Sequence, residues 1–193
     1  MRRHRTPGRL LVDVLLLAVV MLASIALLQA VTTAYYRSSY PVKYEEYVSR
    51  ESLENHLPES LVYAVIRTES SFNPMAQSSV GARGLMQITE DTLDWTAYRL
   101  GEERPSYEIL YDEPSNIKYG TALLRLLLDE FGTIENALCA YHAGWGNANK
   151  WLADPNYSPD GVQIKTIPFG DTRQYVEKVL ATMQIYEHLY ELK

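Results

Sequence analysis

A glutamate on the apolar face of a short predicted helix is the residue best placed to do chemistry. Residues 61–74 place three apolar side chains and one acid on a single helical stripe: Val62, Val65, Ile66 and Glu69. Pro74 disfavours helix at Asn73, so Glu69 should lie in the last turn, near the negative end of the helix dipole. Burial and the dipole both raise a carboxyl pKa, which suits an acid that donates a proton near neutral pH. The alternative is a Glu69 that points to water.

A long uncharged run lies near the N-terminus. It extends from Val14 to Leu28 with Ser24 as its only polar side chain, and it follows four arginines: Arg2, Arg3, Arg5 and Arg9. Such a run is a membrane span or the apolar region of a signal peptide, and a soluble buried helix fits it least. Residues 32–34 offer a signal-peptidase site, but apolar character continues to Val31, so we favour a retained anchor. The arginines favour a cytoplasmic N-terminus and an extracytoplasmic remainder.

The charge and composition of the remaining chain restrict its partners. Without the four N-terminal arginines and Asp13, the chain carries 14 basic and 23 acidic residues, a net charge of about −9. Nucleic acid is therefore excluded as an expected partner. The 15 tyrosines and three tryptophans suit ligands recognised by stacking and hydrogen bonds. Cys139 is the single cysteine, so no intrachain disulfide can form.

The remaining pattern predicts a mostly α-helical single domain of six or seven helices after the N-terminal transmembrane helix. The helices are predicted over 41–55, from Pro58 through Glu69, 90–100 with Thr89 as cap, 113–131, from Thr133, 147–152 and 173–192. Asp171 or Thr172 is the predicted cap of the last helix. Residues 35–40 read as a polar connection. Short extended pairs are expected only at 86–88 and 162–167.

Four motifs occur in one order along the chain. They are ESSFNP at 69–74, GARGLMQ at 81–87, AYHAG at 140–144 and IPFGDTRQYV at 167–176. Together they resemble the soluble lytic transglycosylase (SLT) domain over residues 53–190. The resemblance implies a lysozyme-like α+β fold, mostly helical and related to the goose-type lysozymes. It divides the chain into a basic tip with anchor or signal (1–36), a linker with a leading helix (37–52) and a catalytic domain (53–193).

The resemblance also implies an activity on the glycan strands of bacterial peptidoglycan. Glu69 matches the family's sole catalytic carboxylate, which would act first as acid and then as base. The implied reaction cleaves the β-1,4 bond between N-acetylmuramic acid and N-acetylglucosamine without water and leaves a 1,6-anhydro end. A goose-type hydrolase that uses water and a catalytically silent glycan-binding module are the alternatives.

Six further residues match positions that line the family's substrate site: Ser78, Gln87, Tyr141, His142, Asp171 and Tyr175. The resemblance implies that the Tyr141 hydroxyl lies near the catalytic acid and the substrate, and that Tyr175 helps to hold the catalytic glutamate. His142 stands where Asn is usual, which puts the acetamido contact in question, and Asp171 stands where Glu is usual, which favours helix capping. Turn capping is the alternative for Ser78 and Gln87, and core packing is the alternative for both tyrosines.

No metal-ligand spacing is apparent among the four histidines, and no cofactor or metal is expected. The expected partners are peptidoglycan strands and, through the N-terminal helix, the membrane. The expected protein is a monomer in the cell membrane, crossing it once, or a secreted protein if the signal is cleaved.

Overall fold

The computed structural model describes residues 7–192 and divides the chain into two compact units, Met1–Pro41 and Val42–Lys193. The first unit is formed by helix α1, Pro7–Ser39. Its segment Leu10–Ser39 is long and apolar enough to cross a membrane. Three of the arginines used to predict topology, Arg2, Arg3 and Arg5, lie outside the described residues. The polar connection predicted at 35–40 is wrong, because α1 continues through it to Ser39.

The second unit is mainly α-helical. Its helices are α2 (Glu45–Glu54), α3 (Glu59–Glu69), α4 (Glu90–Leu100), α5 (Glu113–Phe131), α6 (Ile134–Ala143), α7 (Trp145–Ala153) and α8 (Gly170–Tyr190), with a 3₁₀ helix at Tyr107–Tyr111. Residues 7–192 contain no β-sheet; two isolated bridges join Gln77 to Arg83 and Arg83 to Ile88. The predicted mostly helical, lysozyme-like fold is confirmed.

Local signals fixed most of the helix ends. Thr89 caps α4, and Gly101 ends it in a left-handed conformation. Asp112 and Thr133 cap α5 and α6 in the same way as Thr89, each accepting a hydrogen bond from a backbone N–H three residues later. The short extended segment predicted at 86–88 pairs through Ile88, whereas 162–167 forms no bridge.

Two predicted helix starts are wrong. Helix α2 begins at Glu45 rather than at Pro41, because Tyr44 adopts a left-handed backbone conformation with φ of 59° just before it. Helix α8 begins at Gly170, with Phe169 at the cap position, so neither Asp171 nor Thr172 is its cap. Both predictions used only residues near the expected helix start. The conformation of the preceding loop, which these residues do not specify, determines where each helix begins.

Helix α3 is the central helix of the second unit. All its residues from Ser60 to Ile66 are buried, including the apolar stripe of Val62, Val65 and Ile66. It packs along α8, where the rings of Tyr63 and Tyr186 stack with centroids 5.3 Å apart. A helix buried on every side holds its last residue in a fixed position relative to its neighbours.

The loop between α3 and α4 is held against α5 by a buried asparagine. The amide nitrogen of Asn116 donates to the carbonyls of Arg83 and Leu110, and its amide oxygen accepts from the backbone N–H of Met86. Gly84 allows this approach, because a Cβ there would lie 2.1 Å from the Leu110 oxygen. Since each polar atom of the buried amide is used, the loop and α5 are fixed to each other.

A second contact fixes the same loop from outside. The Arg83 guanidinium lies 3.9 Å from the ring centroid of Tyr107 and pairs with Glu108 at 2.7 Å. The Tyr107 hydroxyl donates to the carbonyls of Gly81 and Ile88, one at each end of the loop segment. The 3₁₀ helix therefore closes the loop that contains the GARGLMQ motif.

This packing predicts that Gly84→Ala destabilises the second unit by about 2–4 kcal/mol, because the new methyl group would meet the Leu110 carbonyl and the Asn116 amide. Gly81→Ala is the matched control. Gly81 has a similar positive φ, but a Cβ there meets nothing within 4 Å, so the expected cost is about 1 kcal/mol. Denaturant unfolding of the full chain, followed by tryptophan fluorescence, measures both. Equal losses would show that the close approach at Gly84 carries no cost.

Candidate active site

Glu69 is the last residue of α3. Helix α3 stops there because Ser71 and Phe72 both adopt left-handed conformations, with φ of 52° and 65°. Phe72 is buried beneath this turn, and the Arg67 guanidinium donates to the Ser71 hydroxyl at 2.7 Å. The predicted position of Glu69 in the last turn is confirmed, and its carboxyl lies near the negative end of the helix dipole.

The environment of Glu69 favours its protonated form. Burial raises the pKa of the Glu69 carboxyl from 4.5 to about 7. The Tyr175 hydroxyl and the charge of Lys178 lower the pKa, but they offset only part of the desolvation. The acid therefore remains largely protonated at the pH where an exposed glutamate is ionised.

Tyr175 lies close enough to Glu69 to act on its charge. The Tyr175 hydroxyl is buried and has no hydrogen-bond partner at normal geometry, yet it is near enough to the carboxyl to lower the Glu69 pKa. In return, burial and the nearby Glu69 charge raise the pKa of Tyr175 well above its usual value. A hydroxyl in this position can donate to the carboxylate as it forms, because catalytic hydrogen bonds are often long before substrate binds.

Tyr141 approaches the same acid from α6. Its hydroxyl donates to the Met86 carbonyl at 2.6 Å, which links α6 to the loop of the GARGLMQ motif. Burial and the nearby Glu69 charge raise the Tyr141 pKa well above its usual value. The structure thus brings Glu69, Tyr141 and Tyr175 together, although they belong to three separate motifs. The resemblance to the family predicted this proximity.

His142 packs beside this group. Its ring lies 4.5 Å from the Tyr175 ring, centroid to centroid, and its Nδ1 shares a hydrogen bond of 3.0 Å with the buried Thr172 hydroxyl. Desolvation lowers the His142 pKa, and the charge of Asp171 raises it by less. The histidine is therefore mainly neutral at pH 7, and its Nε2 is the ring nitrogen not used by Thr172.

Asp171 lies in the first turn of α8. Its carboxylate accepts from the backbone N–H of Thr172 at 2.8 Å and is exposed to solvent. The acid therefore stabilises the helix start from within the first turn, although it is not the cap that the sequence predicted.

Ser78 and Gln87 hold the loop between α3 and α4. The Ser78 hydroxyl accepts from the Ala82 N–H at 3.0 Å, which is the turn-capping role. The Gln87 side-chain amide donates to the carbonyls of Ala76 and Gly84, so its oxygen is the polar atom left for a ligand. A glycan contact for either residue stays a prediction.

A pocket of about 340 Å³ opens beside Tyr141, between α4, α5 and the start of α7. Sequence patterns did not single out the two tryptophans that line this pocket, Trp95 and Trp145. They also did not single out Asn116 and Lys178, which lie elsewhere in the second unit. A signal existed for Asn116, a polar residue on the apolar stripe of α5, and for Lys178, one helical turn after Tyr175.

Among residues 7–192, no three His, Cys, Asp or Glu side chains form a group that could hold a metal ion.

Comparison with known proteins decides the family. The transglycosylase SLT domain profile matches residues 46–162. This chain belongs to the transglycosylase SLT domain family. A second profile, the soluble lytic transglycosylase helical domain, matches residues 166–193 of the SLT protein, which include α8.

Relatives of this SLT protein are named for their activity. The soluble lytic murein transglycosylase of Salmonella typhimurium is 35% identical over 153 residues, which cover 77% of this chain and 24% of the relative. The membrane-bound lytic murein transglycosylase C of Yersinia pestis is 32% identical over 166 residues, or 75% of this chain and 46% of the relative. The SLT protein thus spans about a quarter of the first relative and under half of the second.

Solved structures show the same fold. An inactive Glu-to-Gln mutant of the lytic transglycosylase Slt from Pseudomonas aeruginosa is 36% identical, with a TM-score of 0.69 over 77% of this chain and 24% of that one. The 70 kDa soluble lytic transglycosylase of Escherichia coli is 32% identical, with a TM-score of 0.72 over 79% of this chain and 25% of that one. A 70 kDa soluble lytic transglycosylase in complex with bulgecin A is 30% identical, with a TM-score of 0.70 over 79% of this chain and 25% of that one.

The raised pKa of Glu69 predicts that Glu69→Gln stabilises the folded protein at alkaline pH. A carboxyl whose folded pKa of about 7 exceeds its unfolded value of 4.5 contributes stability below pH 4.5, and this contribution is lost as the pH rises towards 7. The free energy of unfolding of the variant should exceed that of the parent by up to about 3 kcal/mol. This difference should grow between pH 4.5 and 7 and stay constant above pH 7. Unfolding of both proteins in urea between pH 4.5 and 8.5 measures it. A difference that does not change with pH would contradict the raised pKa.

Proposed function

We propose that this SLT protein is a lytic transglycosylase that cleaves peptidoglycan glycan strands with Glu69 as its single acid and base. The observation that carries the proposal is the half-buried Glu69 carboxyl, whose desolvation raises its pKa to about 7 beside two tyrosine hydroxyls. The names of the relatives, lytic murein transglycosylases, support the same activity.

Glu69 acts first as an acid. It protonates the oxygen that bridges N-acetylmuramic acid to N-acetylglucosamine, and the bond from that oxygen to the muramic anomeric carbon breaks. The acetamido oxygen of the muramic residue bonds to the anomeric carbon as that bond breaks, so the positive charge is shared by the acetamido group. The ionised Glu69 is then stabilised by the hydroxyl of Tyr175 and the charge of Lys178, the two groups that already lower its pKa.

Glu69 then acts as a base. Its carboxylate takes the proton of the muramic 6-hydroxyl, the 6-oxygen bonds to the anomeric carbon, and the acetamido oxygen leaves that carbon. Glu69 ends the cycle protonated, and the product has a 1,6-anhydro end with no water consumed. A two-acid glycosidase needs a second carboxylate across the bond.

The remaining motif residues would bind the glycan around this acid. Tyr141 lines the pocket and lies near enough to Glu69 for its charge to act on the tyrosine, and Gln87 offers the side-chain oxygen that its two amide hydrogen bonds leave unused. The exposed side of His142 would take the acetamido contact that an asparagine makes elsewhere in the family. Ser78 stabilises the turn that contains it, and Asp171 stabilises the start of α8. Both side chains are at least partly exposed and could also contact substrate.

Helix α1 would hold the enzyme in the cell membrane with the catalytic domain outside the cytoplasm. The segment Leu10–Ser39 has sufficient length and apolar character, and a membrane-bound relative from Yersinia pestis supports this location. Cleavage after residues 32–34 would instead release the same domain.

Digestion of purified glycan strands, followed by mass analysis of the products, tests the activity. The parent protein should release 1,6-anhydro ends, each one water lighter than a reducing end. Glu69→Gln should lower the rate at least 1,000-fold, on the order of magnitude expected when a general acid and base is lost. Glu59→Gln, at the other end of α3, is the matched control and should retain activity.

The other outcomes identify the alternatives. Ordinary reducing ends would show a goose-type hydrolase with the same acid. An absence of cleavage by the parent would leave a glycan-binding module. Full activity of Glu69→Gln would remove the glutamate from the reaction in either enzyme.

A further inference from the structure

His142 packs against the tyrosine that acts on Glu69. The ring centroids of His142 and Tyr175 are 4.5 Å apart, and the two ring planes are inclined by 31°. Tyr175 is only 7% exposed, whereas His142 is exposed. The imidazole therefore lies on the tyrosine ring and shields part of it from solvent.

A buried hydroxyl fixes the imidazole in this position. The His142 Nδ1 and the Thr172 hydroxyl share a hydrogen bond of 3.0 Å, and Thr172 is 1% exposed. Thr172 and Tyr175 are three residues apart on α8, so they lie on one face of that helix. His142 thus makes a hydrogen bond and a ring contact one helical turn apart, and together these restrict both its position and its tilt.

The Tyr175 hydroxyl depends on the placement of its ring. Within residues 7–192 this buried hydroxyl makes no hydrogen bond at normal geometry, yet it is near enough to the Glu69 carboxyl to lower its pKa. The packing of the ring therefore determines where the hydroxyl lies. Because hydrogen bonds weaken steeply with distance and angle, a ring shift of about 1 Å decides whether the hydroxyl stabilises the Glu69 carboxylate.

The helices that pack on α8 explain why His142 is the residue that can control this ring. Helix α8 packs against α3, which ends at Glu69, and against α6, which ends one residue after His142. Glu69 and His142 therefore approach α8 from the ends of two different helices. An asparagine, the residue usual at this position in the family, has no ring to place on Tyr175, so the contact is specific to a histidine.

We propose that His142 is a positioning residue for the acid and base reaction of Glu69. Its ring, held by Thr172, keeps Tyr175 where the tyrosine hydroxyl donates to the Glu69 carboxylate once the glutamate has released its proton. This role is additional to the acetamido contact of Nε2 and acts on the glutamate through the tyrosine alone. The proposal rests on the proposed function and adds a residue to the same site.

Separate effects on kcat and KM test this role in the full-length protein acting on purified glycan strands. His142→Ala should lower kcat about tenfold, since misplacing the tyrosine costs most of a hydrogen bond to a charged group. His142→Phe keeps a ring on Tyr175 and should recover kcat to within about threefold of the parent. Its KM should stay raised, because phenylalanine offers no nitrogen to the acetamido group. Equal losses of kcat in the two variants would overturn the ring contact.

A double-mutant cycle shows whether the tyrosine is the intermediary. Tyr175→Phe should lower kcat about thirtyfold, and the addition of His142→Ala to that variant should lower it further by less than about twofold. Losses that multiply would show that His142 does not act through the Tyr175 hydroxyl.

Thr172→Val tests the hydrogen bond that holds the imidazole. The value of kcat should fall about threefold in the parent and stay unchanged in the His142→Phe background, where no ring nitrogen remains. Thr182→Val is the matched control, because Thr182 is also buried on α8, ten residues further along, and this change should leave kcat unchanged. Equal losses in the two threonine variants, or a loss that persists with His142→Phe, would assign the effect to helix packing instead.

A ¹³C NMR titration of the Glu69 carboxyl, in the substrate-free protein in detergent micelles, needs no cleavage. The Tyr175 hydroxyl lowers the Glu69 pKa, so Tyr175→Phe should raise the midpoint. Thr172→Val should raise it in the parent and leave it unchanged in the Tyr175→Phe background. An unchanged midpoint in either single variant would overturn the proposal. If the parent cleaves no glycan, the proposed function fails, whereas this titration still decides whether His142 and Thr172 act on the acid.

Discussion

The partial burial of one acid at the C-terminal end of α3 is the constraint on which the rest of the site depends. A carboxyl in this position loses hydration and lies near the negative end of a helix dipole, and both effects favour the protonated form. Two other helices are arranged around it: α8 supplies Tyr175 and Lys178, and α6 supplies Tyr141. The remaining packing keeps these groups in place as the charge on Glu69 changes.

The loop between α3 and α4 connects that constraint to the fold. Its own backbone hydrogen bonding is limited to two isolated bridges and a few backbone hydrogen bonds within turns. The Asn116 amide holds it on α5, Arg83 and Tyr107 hold it on the 3₁₀ helix, and the Met86 carbonyl accepts from Tyr141. The same loop therefore determines where Tyr141 stands relative to Glu69, so a change in loop packing is a change in the site.

Sequence patterns predicted the parts of this molecule that local physics determines. The apolar stripe before Glu69 and the caps at Thr89 and Thr133 follow from helical spacing and backbone hydrogen bonding, and the structure has them. The starts of α2 and α8 were missed because loop conformation determines them. The pocket between Trp95 and Trp145 combines residues 50 positions apart, so only tertiary structure brings them together. The resemblance to the SLT family predicted Tyr141 and Tyr175 near the catalytic acid, and the charge of Glu69 acts on both tyrosines in the structure.

Direct titration of the Glu69 carboxyl is the most direct test of this site. The protein is labelled with ¹³C at the glutamate carboxyl carbons, and the Glu69 signal is assigned by its absence in Glu69→Gln. Its chemical shift, followed from pH 3 to 9, should give a midpoint near the pKa of about 7 that burial imposes on this acid. A midpoint close to 4.5, the value of an exposed glutamate, would contradict the protonated acid on which the proposed reaction rests.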